Sequence, residues 1–337
     1  MIGASPRRTE DRRLLTGAGR YLDDLARVGL LHLGVVRSVH AHARVVTVRT
    51  VPARARPGVL AAWSAADLPE AARPMPGAYG GGQKGRPWAQ PILARERVRY
   101  VGEPVAVVVA ADPYRLTDAL DAVSVEYEPL PALVDAEAAL GSPTRLHEGW
   151  PDNAALAVRG AVGDVAPALA GAPVVVHARL RHARLAAVPL ETRGALAERD
   201  PDSGVLTVWS STQSPYALRD VLAAALRLPV EAIRVRVPDV GGGFGPKGAI
   251  YPEEVLVAAA ALRLGRAVKW VESRREDLAS LGHDREQAHD VRIGFARDGA
   301  IVAIDASFLA DVGAYPLQGD GLTANTVNHL PGPYRVP

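Results

Sequence analysis

A chain of 337 residues with 48% hydrophobic and 23% charged side chains is long enough for more than one core and is expected to form two globular parts. Its 39 basic and 37 acidic residues leave a net charge of +2, and no basic run is interleaved with aromatics, so no nucleic-acid partner is expected. Cysteine is absent, which removes disulfides, catalytic thiols, zinc–thiolate sites and iron–sulfur ligation from this chain. No apolar run has the length of a membrane span and none follows Arg7-Arg8 as a leader would require, so no membrane span and a cytoplasmic location are expected.

Residues 30–37 and 45–51 alternate or are β-branched, as strands are, with His40 and His42 between them. A metal pair is one reading of these histidines and a structural loop the other. Residues 72–91 carry Pro74, Pro76, Gly77, Gly80, Gly81, Gly82, Gly85, Pro87 and Pro91, the composition of a long loop suited to a lid or a subunit contact. A strand at 98–100, a turn at Gly102-Glu103-Pro104 and a buried strand at 105–110 follow. Asp112 before Pro113 predicts a capped helix running to about residue 123, then a strand at 124–127. Residues 131–172 keep no sustained period and read as a linker, which divides the chain into 1–130, 131–172 and 173–337.

Strand patterns resume at 174–180, 195–199 and 205–210, the last two joined by the turn Asp200-Pro201-Asp202-Ser203-Gly204. Pro215 opens a helix to about Leu226. A strand at 233–237, a helix from Pro252 to Leu264, a strand at 267–271 and a hairpin around Arg297-Asp298-Gly299 complete the pattern. The fold class is α+β.

The densest signal is the run Asp239, Val240, Gly241, Gly242, Gly243, Phe244, Gly245, Pro246, Lys247, Gly248. So many glycines around one aromatic imply left-handed backbone or a surface that something approaches closely. Gly243, Gly245 and Gly248 satisfy the G-x-G-x-x-G spacing of an NAD(P)-dependent Rossmann dehydrogenase, with Glu272 as the acidic residue further on. Against it, Pro246 sits where an N–H should face a pyrophosphate, and the helix does not open at the third glycine. No Ser or Thr follows Lys247, so a Walker loop fails. A structural turn and another kind of cofactor loop stay open. Glu253 and Glu254 fall in a helix first turn, where carboxylates favour the macrodipole. Glu191 would orient backbone or a neighbouring Arg, and Lys247 is either a phosphate contact or a solvated charge. No Ser/His/Asp arrangement points to hydrolysis.

A series of motifs in order carries a more specific signal. Glu10-Asp11-Arg12-Arg13-Leu14-Leu15-Thr16-Gly17 with Gly19 to Asp24, and Val36 to Ala43, resemble the opening of molybdenum hydroxylase large subunits, the family of xanthine dehydrogenase, aldehyde oxidase and aerobic carbon monoxide dehydrogenase. Arg99 to Ala106 and Val125 to Pro131 are similar to that family's a/b hammerhead domain. Pro189 to Gly194, Ser211-Thr212-Gln213 and Val240 to Lys247 resemble the first part of its molybdopterin-binding domain.

The resemblance implies a molybdenum–molybdopterin cofactor, in its cytosine dinucleotide form, that oxidises an aldehyde, N-heterocycle or CO-type substrate with water-derived oxygen. Gln213 would hydrogen-bond a molybdenum oxygen ligand, and Gly242, Gly243, Phe244 and Gly245 would cradle the pterin and the metal's apical oxygen. It also implies an iron–sulfur small subunit and an FAD-binding medium subunit, in a dimer of heterotrimers. No direct metal ligand and no catalytic residue are expected here: the general-base glutamate would lie in a C-terminal half absent from this sequence. Alone, the chain is expected to be inactive: a truncated protein, a split subunit completed by a separate chain, or a non-catalytic assembly fragment. Gly248 stands where purine-specific members carry a glutamate, which weighs against a xanthine-type substrate.

Overall fold

The computed structural model describes residues 2–71, 73–75, 86, 88–317 and 319–337. Most of the expected 72–91 loop, with its lid or subunit-contact reading, lies outside them. The first part of the chain supplies β1 (Leu31–Arg37), β2 (Ala43–Arg49), β3 (Val59–Ser64), β4 (Arg97–Val98), β5 (Pro104–Ala110) and β6 (Ser124–Pro129). The second supplies β7 (Val174–His182), β8 (Gly194–Arg199), β9 (Leu206–Ser210), β10 (Ile233–Arg236), β11 (Val268–Val271), β12 (Gln287–Phe295) and β13 (Ile301–Ala310).

The main sheet runs β10-β9-β8-β11-β1-β5-β3, so strands from both sides of residues 131–172 share it. The join is β1 against β11, parallel, with Leu31 opposite Val268 and His32 opposite Lys269. All seven residues of β5 are buried; an apolar run without alternation is what a strand covered on both faces requires. Two helices cover one face, Pro215–Leu226 and Pro252–Leu264, setting Leu218, Leu222, Val255 and Leu256 in one core with Leu33, Val35, Val107 and Val109. Helix Pro113–Asp121 covers the other, where Ala119, Leu116 and Leu120 meet Ala62 and Val108.

These three helices start where local chemistry dictates. Each has proline at its first position, and Asp112 accepts the Arg115 N–H at 2.9 Å. Gly265, left-handed at φ 61°, closes helix Pro252–Leu264. Two further three-stranded sheets run β4-β2-β6 and β13-β12-β7. The 131–172 stretch includes two short helices, Ala136–Gly141 and Val165–Gly171, which lie against β13.

The topology overturns the dinucleotide reading. β10 and β11 do run in the same direction, but β9 and β8 lie between them and β8 is antiparallel to both of its neighbours. A dinucleotide crevice needs adjacent parallel strands with the helix starting at the glycine turn. Here the helix starts at Pro252 behind Tyr251, and Glu272 is buried against Arg193.

Candidate functional site

The glycine run leaves β10, crosses the end of the main sheet and returns into helix Pro252–Leu264. Its start is held by the N-terminal segment. Arg13 makes a two-pronged ion pair with Asp239, at 2.5 and 2.7 Å, and the Arg20 N–H donates to the same carboxylate at 2.7 Å. These bonds, the Arg13 contact first, hold the Asp239 pKa down to about 2.

Four of the five glycines of the run have a physical reason. Gly242 and Gly245 are left-handed, at φ 97° and 111°. A Cβ on Gly241 would lie 2.5 Å from Glu191 Cβ, and one on Gly243 would lie 2.5 Å from Gln213 Oε1. Phe244 is also left-handed, at φ 54°, although it is not glycine, and the residue is 70% exposed. Such strain persists only where the surroundings impose it, and it concentrates at functional sites. Among the described residues, the N–H groups of Gly242, Gly243 and Phe244 have no acceptor. Successive amides across left-handed turns form a concavity suited to an anionic or oxo group.

Gln213 stands beside them. Its Oε1 accepts the Gly245 N–H at 3.2 Å, so the group it has left to offer is the amide NH2, a neutral donor. Gln213 and the run are thus brought together, and the donor set fits an oxygen-bearing metal–pterin group. Lys247 is neither a phosphate contact nor a solvated charge. Its side chain is fully buried, and Nζ donates to Glu191 Oε2 at 2.9 Å. Burial lowers its pKa. Glu191 orients backbone as expected, accepting the Gly241 N–H at 2.8 Å, but its charged partner is this lysine, not an arginine.

Glu253 and Glu254 do far more than face a helix dipole. Glu253 lies between Arg37, at 2.7 Å, and Arg193, at 3.4 Å. Burial would raise its pKa, but the two guanidiniums outweigh it and the net shift is downward. Glu254 accepts Ser210 Oγ at 2.6 Å and the Tyr251 N–H at 3.1 Å, and burial raises its pKa to about 7. A void of about 10 Å³, lined by Arg193, Ser210, Thr212, Lys247, Tyr251 and Glu254 among others, has room for about one water beneath the run. The histidine pair is structural. His42 Nδ1 bonds Pro131 O at 2.8 Å, His40 packs edge-on against Tyr127, and no metal-binding group forms among the described residues.

Sequence reasoning missed Arg193, which bonds Glu272, Glu253 and the face of Tyr251. Its neighbours in Pro189-Leu190-Glu191-Thr192-Arg193-Gly194 drew notice, yet only the convergence of three elements gives it a role. A cavity of about 1560 Å³, with Trp88, Tyr100, His147, Trp150 and Phe308 in its wall, lies apart from the run. It shares no lining residue with the run or with Gln213.

The molybdopterin cofactor-binding domain family matches residues 146–337, and the aldehyde oxidase and xanthine dehydrogenase a/b hammerhead domain family matches residues 16–131. The nicotine 6-hydroxylase large subunit of Paenarthrobacter nicotinovorans is 39% identical over 94% of this chain and 38% of its own length. The carbon monoxide dehydrogenase large chain of Afipia carboxidovorans is 35% identical over all of this chain and 43% of its own. The crystal structure of quinoline 2-oxidoreductase from Pseudomonas putida 86 superposes with a TM-score of 0.85, at 39% identity, over 91% of this chain and 39% of that one. The chain thus spans about two fifths of the length of these relatives. With a hammerhead domain followed by a molybdopterin-binding domain, it belongs to the molybdenum hydroxylase large-subunit family of oxidoreductases.

Proposed function

We propose that this chain forms one wall of a molybdenum–molybdopterin site in a hydroxylase that oxidises a ring carbon of a nitrogen heteroaromatic. The observation that carries the site is the row of amides at Gly242, Gly243 and Phe244, which have no acceptor among the described residues, beside Gln213, whose Oε1 is engaged and whose NH2 is left to donate. Gly242, Gly243, Phe244, Gly245 and Gln213 would hold the cofactor, in its cytosine dinucleotide form. When bound, that cofactor supplies the two-electron redox chemistry and the polarised oxygen. The chain's own part is orientation. Gln213 donates without adding charge, and the amides offer preorganised dipoles where negative charge resides.

The substrate class is supported by the two relatives at 39% identity, which are named for nicotine and quinoline; the carbon monoxide relative follows at 35%. The chain alone is proposed not to turn over. At the run, Glu191 is held by Lys247, Gly241 and Leu22, and Glu254 is capped by Ser210 and Tyr251, so neither is poised as a base. Further polypeptide, on this chain or another, would supply one. Iron–sulfur and FAD-binding partners are proposed from the "large" designation of the relatives and the absence of cysteine here, and the site of action is proposed to be the cytoplasm.

The test is molybdenum and pterin content, with ring oxidation of pyridine- and quinoline-type compounds, in the protein as its native host assembles it. Stoichiometric metal and a loss of about 10²-fold in turnover for Gln213→Ala are expected, the usual cost of one oxyanion donor. An assembled protein without molybdenum would refute the reading.

A further inference from the structure

We propose that Lys247 and Glu191 are positioning residues of this site, forming a buried ionic brace that sets the glycine run and Gln213 in register with each other. The proposal rests on the cradle reading above. Lys247 spans the two pieces with different atoms. Its Nζ donates to Glu191 Oε2 at 2.9 Å, while its main-chain oxygen accepts the Gln213 N–H at 2.8 Å and Thr212 Oγ1 at 3.2 Å. Glu191 grips the start of the run from both sides. Its carboxylate takes the Gly241 N–H at 2.8 Å and its own N–H donates to Gly241 O at 3.1 Å. Gln213 Oε1 then takes the Gly245 N–H at 3.2 Å. The bonds Gly241–Glu191, Glu191–Lys247, Lys247–Gln213 and Gln213–Gly245 therefore close a ring through the run itself, and the acceptor-free amides of Gly242, Gly243 and Phe244 lie inside that closure.

The chemistry of the pair favours placement over stability. A fully buried ammonium and a largely buried carboxylate repay their desolvation poorly, and an apolar pair of the same volume would pack at least as well. What an apolar pair lacks is direction. The ammonium fixes the carboxylate so that its other lone pairs point at the Gly241 and Leu22 N–H groups. Without it, Gly241 keeps an acceptor of undefined orientation, and the run loses the anchor that aligns its amides with Gln213.

The test compares wild type, Lys247→Met and the double variant Lys247→Met/Glu191→Gln, each in the protein as its native host assembles it. Three quantities are read: melting temperature, molybdenum and pterin per chain, and hydrogen exchange of the Gly241 and Gly245 amides against those of β8. The single variant leaves a carboxylate buried without its cation and should melt low. The double variant leaves no charge unpaired and should melt close to wild type. It should still exchange Gly241 and Gly245 roughly tenfold faster than wild type, with β8 unchanged, since local openings lie far below global unfolding. It should also retain roughly tenfold less cofactor, about the worth of one lost anchor of 1.4 kcal/mol. A double variant with wild-type cofactor content and wild-type exchange overturns the brace. A wild type free of pterin sinks the cradle reading instead, and the exchange contrast still decides for or against the brace.

Discussion

Arg193 lies 3.9 Å from the centroid of the Tyr251 ring, and its guanidinium meets Glu272 and Glu253 on its other sides. One cation thereby ties β8 to β11 and to helix Pro252–Leu264, directly behind the glycine run. Arg37 of β1 extends the cluster, pairing with Glu253 and, at 2.8 Å, with Glu276. Removing one partner of a buried cluster exposes the full desolvation penalty of those left behind.

Arg193→Leu is therefore expected to destabilise the protein by about 3–5 kcal/mol, because among the described residues Glu272 keeps no other ion-pair partner and Glu253 keeps only Arg37. Denaturant unfolding measures this. A loss below about 1 kcal/mol, the range of exposed pairs, would show that the cluster is hydrated.

Glu254 gives a pH signature. Its folded pKa is raised by burial to about 7 from the ordinary 4.5, so between those values the folded state holds a proton the unfolded state has released. Its contribution to stability is complete below pH 4.5 and is lost as pH rises through 7. The wild-type minus Glu254→Gln difference in unfolding free energy should fall across this window by an amount on the order of 3 kcal/mol. Glutamine imitates the protonated acid and does not titrate. A difference that is flat from pH 4.5 to 7 would mean Glu254 is ionised in the fold.

Two alanine substitutions in the run should separate stability from binding. At Gly241 the new Cβ meets Glu191 Cβ at 2.5 Å and Glu191 N at 3.3 Å, atoms that cannot swing away, so Gly241→Ala should cost about 1–3 kcal/mol. At Gly243 the clash is with the end of the Gln213 side chain, which can move. Gly243→Ala should melt within a few degrees of wild type yet lose molybdenum, because the donor is displaced. Equal cofactor loss at equal stability for both variants would contradict this division.

Much of this was legible in the residues and some was not. Proline at the first position gave helices Pro215–Leu226 and Pro252–Leu264 their starts, and the apolar run of β5 declared its burial. β3, reading Val-Leu-Ala-Ala-Trp-Ser, carries no clear alternation and passed unread; its partner β5 makes it a strand. At the site, the glycines stood out because their spacing is local, and Gln213 only through the family resemblance. The roles of Lys247, Arg193 and Glu253 did not, since a charge reads as solvated until its partner comes from another element. Glu191 is 56 residues from Lys247 and Glu272 is 79 from Arg193. The glycine spacing misled for a related reason: topology, not the run itself, decides whether a dinucleotide crevice exists.

The central claim is that the amides of Gly242, Gly243 and Phe244 and the NH2 of Gln213 face the metal's oxygen ligands. Diffraction at the molybdenum absorption edge, from crystals of the protein as its native host assembles it, tests this most directly. The account predicts one anomalous peak beside Gln213 and the Gly242–Phe244 backbone. A peak lining the large cavity beside Trp150 and His147, or no peak at the glycine run in metal-bearing protein, would contradict it.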